Sequence, residues 1–146
     1  MTTKARIFIV EDEPLIGLLL EGTVSDLGCE CLGPVSNLEA ALATARGGTF
    51  DAAIMNLVIN GKPAYELCQI LADRNIPFAF ASGVPRDSIE PLWRERLFIA
   101  KPFSDAEIAQ VLAKLLATPE KAIATAGDAL PQADIPPPPG GAGPAR

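Results

Sequence analysis

Five positions in this chain carry side chains that could act together on a small charged ligand: Glu11, Asp12, Asn56, Ser82 and Lys101. Each stands at the end of a short apolar run that reads as a strand. Two carboxylates, a side-chain amide and a hydroxyl would make an oxygen-lined pocket with one ammonium beside it. Other chemistries are excluded by what is missing. The chain has no histidine, which removes the commonest general base and any Ser-His-Asp or Cys-His arrangement. Its three cysteines, Cys29, Cys31 and Cys68, lack zinc spacing. Cys29 and Cys31 are two apart in an expected strand and Cys68 falls on an apolar helix face, the pattern of reduced core thiols.

The elements that must position these residues alternate. Ala5 to Val10 reads as a central strand, and Asp51 to Met55, closed by the Asn60-Gly61 turn signal, as an inner parallel strand buried on both faces. Cys29 to Val35, Ile76 to Ala81 and Leu97 to Ala100 supply three more strands, with Pro77 tolerable at a strand start. Between them, Pro14 to Leu27 has apolar residues at helical spacing with Gly28 as a stop. Ser36-Asn37-Leu38-Glu39 reads as a capping box before the stripe Leu38, Ala41, Leu42 and Ala45, and Gly47-Gly48 ends that helix. Pro63 can open a helix that buries Ala64, Leu67, Cys68 and Leu71. Pro85 and Pro91 limit the next helix to a short one, Asp87 to Arg94. Ser104 to Glu107 is a second capping box, before Ile108, Val111, Leu112 and Leu115. Five strands and five helices in alternation fold as a doubly wound parallel α/β sheet, flavodoxin-like in order 2-1-3-4-5. Ligands bind such sheets at the C-terminal ends of the strands, where the five residues would meet.

The length fits one domain, and 49% hydrophobic residues suffice for a core. A net charge of -6 without a basic helix face argues against nucleic acid or an anionic membrane as a direct partner. No apolar run reaches the ~18 residues of a membrane span, and the N-terminus shows no signal-peptide pattern, so the reading is cytoplasmic. Residues 1–117 form the expected domain. Residues 118–146, rich in Ala, Pro and Gly, form an expected disordered tail rather than a linker to an output domain.

Ile7-Phe-Ile-Val-Glu-Asp-Glu-Pro14, the end of the third strand, Ser82-Gly83 and Lys101-Pro102-Phe103 together resemble the receiver domain of two-component response regulators, over Lys4 to about Leu116. Pro77-Phe-Ala-Phe-Ala-Ser-Gly83 further resembles a divergent group of alphaproteobacterial single-domain receivers, although Val84 stands where that group has Tyr. The resemblance implies a Mg²⁺ site formed by Glu11, Asp12, the residue at 56 and the backbone carbonyl of Val58. It gives Ser82 and Lys101 a phosphate-sensing role, makes Phe98 a rotating switch aromatic, and has the Lys101-Pro102 bond cis. It also implies a sensor histidine kinase or phosphotransfer protein as one partner and a downstream protein target as another. A homodimer through helix four, strand five and helix five is a further implication.

Asn56 departs from that pattern, because receivers carry there the Asp that takes a phosphoryl group. An amide oxygen is neutral and delocalised and does not form an acyl phosphate. Asp51 cannot substitute, since it starts the strand, about 16 Å from the acidic pair at ~3.3 Å per residue. Mg²⁺ binding should be weak or absent with one charge fewer. The sequence therefore reads as a stand-alone, degenerate or engineered receiver that acts by protein binding and is not an enzyme. The alternative is a small Mg-dependent phosphohydrolase, which also needs a nucleophilic Asp. Each residue also has a plain structural role available: Glu11 and Asp12 could cap helix one for ~0.3–1 kcal/mol each, Ser82 could form a turn, and Lys101 could be solvated. Trp93 and Tyr65 read as packing or surface residues.

Overall fold

Five of the apolar runs pair side by side, all parallel, in a computed structural model that describes residues 4–117. The strands of this sheet are β1 (Arg6–Val10), β2 (Glu30–Val35), β3 (Ala52–Met55), β6 (Phe78–Ser82) and β7 (Leu97–Ala100). Their order is β2-β1-β3-β6-β7, which is the 2-1-3-4-5 winding expected of a flavodoxin-like sheet. The reading of residues 118–146 as a tail lies outside the described residues.

Side-chain alternation along these strands divides the core into two layers. Phe8, Val10, Ala53, Met55, Phe78 and Phe80 face α2 (Leu38–Gly47) and α3 (Tyr65–Asp73), which contribute Ala41, Ala45, Leu67, Cys68 and Leu71. Ile7, Ile9, Ala52, Ile54, Ala79, Ala81 and Ile99 face α1 (Pro14–Asp26) and α4 (Asp105–Ala117), which contribute Leu20, Val24, Ile108, Leu112 and Leu115. Every residue of β3 and β6 is buried. Rigid strands covered on both faces hold the strand ends, and hence the site, in fixed register: Val10 beside Met55, Met55 beside Phe80, and Ser82 beside Ala100.

Three elements differ from the sequence reading. The helix expected over Asp87 to Arg94 is absent: the segment makes two short 3-10 turns, Arg86–Ser88 and Pro91–Trp93, separated by extended Ile89 and Glu90. Pro91 removes an N–H donor and pushes Glu90 out of the helical region, so no turn can propagate across it. The dimer face expected from helix four, strand five and helix five thus lacks its first helix. Second, Pro63 does not open α3. It closes a two-residue hairpin, β4 (Val58–Ile59) with β5 (Lys62–Pro63), turned by Asn60 (φ 51°) and Gly61 (φ 82°). Asn-Gly is the pair that tolerates two successive left-handed residues, and here it outweighs the proline signal. Third, α2 is capped by Asn37, whose side chain accepts from the Ala40 N–H at 2.8 Å, and not by Ser36. The second capping box forms as read, with reciprocal bonds between Ser104 and Glu107.

Gly33 is required by its surroundings: at φ 108° an added Cβ would lie 2.7 Å from the Ile9 carbonyl oxygen. The bend there lets Glu11 N–H donate to the Val35 carbonyl at 3.0 Å, which fixes the start of the acidic loop. All three cysteines are free thiols, two half-buried and Cys68 buried. Burial pushes the thiols of Cys31 and Cys68 up to about 11 and about 12, so they stay protonated and unreactive at neutral pH. Trp93 packs on Phe78 with ring centroids 5.9 Å apart, and the Tyr65 hydroxyl accepts from the Glu90 N–H at 3.1 Å.

Candidate functional site

At the C-terminal edge of the sheet, β1 delivers Glu11 and Asp12, β3 delivers Asn56, and β7 delivers Lys101. Asn56 N–H donates to the Val10 carbonyl at 2.9 Å, which ties the β3 end to the acidic loop. The Asn56 side chain turns its amide nitrogen, not its oxygen, toward the acids: Nδ2 donates to Glu11 Oε2 at 3.4 Å and to Asp12 Oδ1 at 3.3 Å. That orientation follows from charge, since the amide oxygen facing two carboxylates would set negative against negative.

The carboxylates have further partners. Glu11 Oε2 accepts from Glu13 N–H at 3.0 Å, and Asp12 Oδ2 accepts from Asn60 N–H at 2.8 Å. Glu11 Oε1 is buried and is met by the Lys101 ammonium, 3.0 Å away, as an ion pair. The same ammonium donates to Glu13 Oε1 at 2.9 Å. Lys101 points into the site, and the Lys101-Pro102 bond is cis, as the resemblance implies.

Burial raises the Glu11 carboxyl above its usual range, outweighing the opposing Glu13 N–H and Lys101. For Asp12 burial pulls upward too, but the N–H of Asn60, its own backbone N–H and the neighbouring Glu11 and Asn56 outweigh it and hold the carboxyl low. Lys101 is raised: burial favours the neutral amine, and the bonds to Glu13 and Glu11 overcome it. Two nearby acids thus differ because backbone donors outweigh burial at Asp12, whereas at Glu11 burial outweighs one backbone donor and a cation shared with Glu13.

Ser82 shares the rim through the backbone, Lys101 N–H donating to its carbonyl at 3.0 Å, while its buried hydroxyl accepts from the Val84 N–H at 3.2 Å. Val58 lies in the hairpin opposite Pro63, which has no N–H to give to its carbonyl. Phe98 is half-buried beside Phe80, away from the acids, with the Arg86 guanidinium 5.3 Å from its ring centroid. Asp51 sits at the opposite end of β3, where its carboxylate accepts from the Arg6 N–H at 2.8 Å. Sequence reasoning missed Asn60 as a site residue. Its Asn-Gly signal marked a turn, but not that the turn would aim an N–H at Asp12 and the side-chain amide at the Ser36 carbonyl, 3.0 Å away. Glu13, the second partner of Lys101, was legible only as part of the acidic run.

A doubly wound sheet with acids, a hydroxyl and a Lys-Pro at successive strand ends defines the CheY-like receiver domain, and the chain belongs to this family of two-component signalling modules. It is similar to SdrG from Sphingomonas melonis Fr1, with 38% identity over 80% of this chain and 99% of that one, at a TM-score of 0.70. A response regulator receiver domain protein (CheY-like) from Methanospirillum hungatei JF-1 has the same fold at 19% identity, covering 82% of this chain and 98% of that one, TM-score 0.71. So does the receiver domain of sensor histidine kinase PA1611 from Pseudomonas aeruginosa PAO1, at 20% identity, covering 80% of this chain and 100% of that one, TM-score 0.66. That protein's structure has a magnesium ion coordinated in the active site cleft. No protein-family model matches the chain, and no curated protein matches it.

Proposed function

We propose that this receiver signals without phosphorylation at residue 56, by binding other proteins: a sensor histidine kinase or phosphotransfer protein on one side and a downstream target on the other. The observation that carries this reading is the Asn56 side chain, which occupies the nucleophile position and directs an N–H donor at Glu11 and Asp12. An amide in that position has no charged oxygen to attack phosphorus. The phosphohydrolase alternative requires the same missing nucleophile and is not favoured.

The donor set disfavours Mg²⁺. A hard cation needs converging oxygens, yet Asn56 presents nitrogen, and the Asp12 and Glu11 oxygens already meet the N–H groups of Asn56, Asn60 and Glu13 or the Lys101 ammonium. We read Glu11, Asp12 and Asn56, so engaged, as a weaker cation site than three converging carboxylates would make. On this reading Ser82 and Lys101, which the resemblance makes phosphate sensors, hold internal partners instead.

Partner binding is supported by an exposed apolar stripe on α1, Leu15, Leu18 and Leu19 at helical spacing, which begins beside Glu13 at the site rim. No helix among the described residues is long and apolar enough to cross a membrane. The test is incubation of this chain and of Asn56→Asp with a small-molecule phosphodonor and Mg²⁺, read by intact mass. A labile phosphoryl group is expected only on Asn56→Asp. Stoichiometric phosphorylation of the unmodified chain at residue 56 would sink the proposal.

A further inference from the structure

The turn of the β4–β5 hairpin carries a reactive pair. Asn60 and Gly61 are both exposed, and a Cβ built on Gly61 would meet nothing within 4 Å, so water reaches the peptide bond between them. The chain has four asparagines, and the other three are followed by Leu38, Leu57 and Ile76. Those bulky side chains shield the next amide nitrogen, whereas Gly61 leaves it bare. Asn75 supplies an internal contrast: it shares the left-handed backbone of Asn60, φ 59° against 51°, but precedes Ile76. The hairpin that holds the turn is slight. It has two residue pairs, Val58 with Pro63 and Ile59 with Lys62, and Pro63 has no N–H to add to the ladder.

Two further bonds tie this turn to the site region, Asn60 N–H to Asp12 Oδ2 at 2.8 Å and Asn60 Nδ2 to the Ser36 carbonyl at 3.0 Å. We propose that Asn60 is a self-modification site, which deamidates when the hairpin opens and so loosens the hold on the acidic loop. In the open turn the Gly61 amide nitrogen attacks Asn60 Cγ. The N–Cγ bond forms, the Cγ–Nδ2 bond breaks, and the Gly61 amide proton departs with Nδ2 as ammonia. Water then opens the cyclic imide at either carbonyl, giving aspartate, or isoaspartate with the main chain rerouted through the side chain. Either product lacks Nδ2, so the bond to Ser36 is lost and a carboxylate stands where a donor faced a carbonyl. Isoaspartate also lengthens the turn by a methylene, which moves the N–H away from Asp12. Water is the only co-reactant, and the step does not depend on whether residue 56 accepts phosphate.

Ageing the native full chain at mildly alkaline pH, with peptide mapping by mass spectrometry, tests this. Conversion at residue 60, a gain of about 1 Da, should outrun that at Asn37, Asn56 and Asn75 at least tenfold, and Gly61→Ala should slow it by roughly tenfold. Conversion at Asn60 no faster than at Asn75, or undiminished in a folded Gly61→Ala, overturns the proposal. Should Gly61→Ala lose the hairpin, the comparison of Asn60 with Asn75 in the parent chain decides alone. The aged species, separated by charge, should then show shifted NMR signals at Asp12 and Ser36 and unshifted signals at Asp51, at the far end of β3. Aged and fresh protein with the same Asp12 signals would overturn the link to the acidic loop.

Discussion

Asn56→Asp converts a donor into a third carboxylate with almost no change of shape, so its effect isolates the electrostatics of the site. The amide nitrogen lies 3.4 and 3.3 Å from oxygens of Glu11 and Asp12, and Asn56 is 9% exposed, so solvent screens the new charge poorly. Two hydrogen bonds to carboxylates disappear, both long and so each at or below the low end of the ~1.5–3 kcal/mol of a bond to a charged group. Carboxylate centres ~5 Å apart then repel by about 3 kcal/mol per pair at an effective dielectric near 20. Lys101 attraction and side-chain relaxation offset much of this. An upper bound comes from protonation, because holding a carboxyl of ordinary pKa neutral at pH 7 costs about 4 kcal/mol. The expected net loss is about 2 kcal/mol, a fall in thermal midpoint of roughly 6–10 °C for a domain of this size. Thermal melts at pH 7 in chelator read this directly. At 10 mM Mg²⁺ the Asp form should regain about 1.4 kcal/mol if it binds with Kd ~1 mM, and the Asn form much less. Equal midpoints and equal Mg²⁺ shifts would refute the claim that these side chains share a site.

Three further outcomes follow from the same geometry. Lys101→Met strands the buried Glu11 carboxylate and should cost about 3 kcal/mol at pH 7, with Glu11→Gln added to it restoring most of the loss; a single-mutant midpoint equal to the parent would contradict the ion pair. Acid and alkali should act through different groups. The raised Lys101 contributes stability present below 10.5 and lost as pH rises through its folded value, a loss absent from Lys101→Met. The raised Glu11 makes its contribution grow as pH falls from its folded value toward 4.5, a trend that Glu11→Gln should abolish, whereas the lowered Asp12 contributes above 3.8 and fails as pH falls through its folded value. Asn60→Ala forces a left-handed φ of 51° on a residue that resists it and removes the bond to Ser36, and should cost about 1–2 kcal/mol; Asn60→Gly, which accepts that φ, should cost less in the same denaturant titration.

The sheet was legible because its inner strands, β1, β3 and β6, are buried on both faces. A run such as Ile7 to Val10 followed by Glu-Asp-Glu has few other solutions, and alternation with amphipathic segments implied the winding. The convergence of Glu11, Asp12, Asn56 and Lys101 was legible for the same reason, since strand ends in a doubly wound sheet share an edge. What escaped depended on local competition. Asn60-Gly61 and Pro63 each signalled structure, and only the fold decides that the turn prevails and carries an N–H to Asp12. The two prolines weakened the helix expected after Ser82, but nothing in their spacing announced that Arg86 and Arg94 would satisfy the backbone instead. The amide orientation of Asn56 was likewise beyond a sequence argument. It is set by the charges around it and not by its own type.

The central claim is that Asn56 fills the acidic site with its own N–H donors, and the side-chain amide signals of that residue test it most directly. In ¹⁵N-labelled protein the Asn56 Nδ2 protons should be protected from solvent, split widely by their two carboxylate acceptors, and shifted little by 10 mM Mg²⁺, with Glu11, Asp12 and Asn60 equally unmoved. Fast-exchanging, unshifted Asn56 amide protons, together with Mg²⁺-dependent shifts at Glu11 and Asp12, would contradict it.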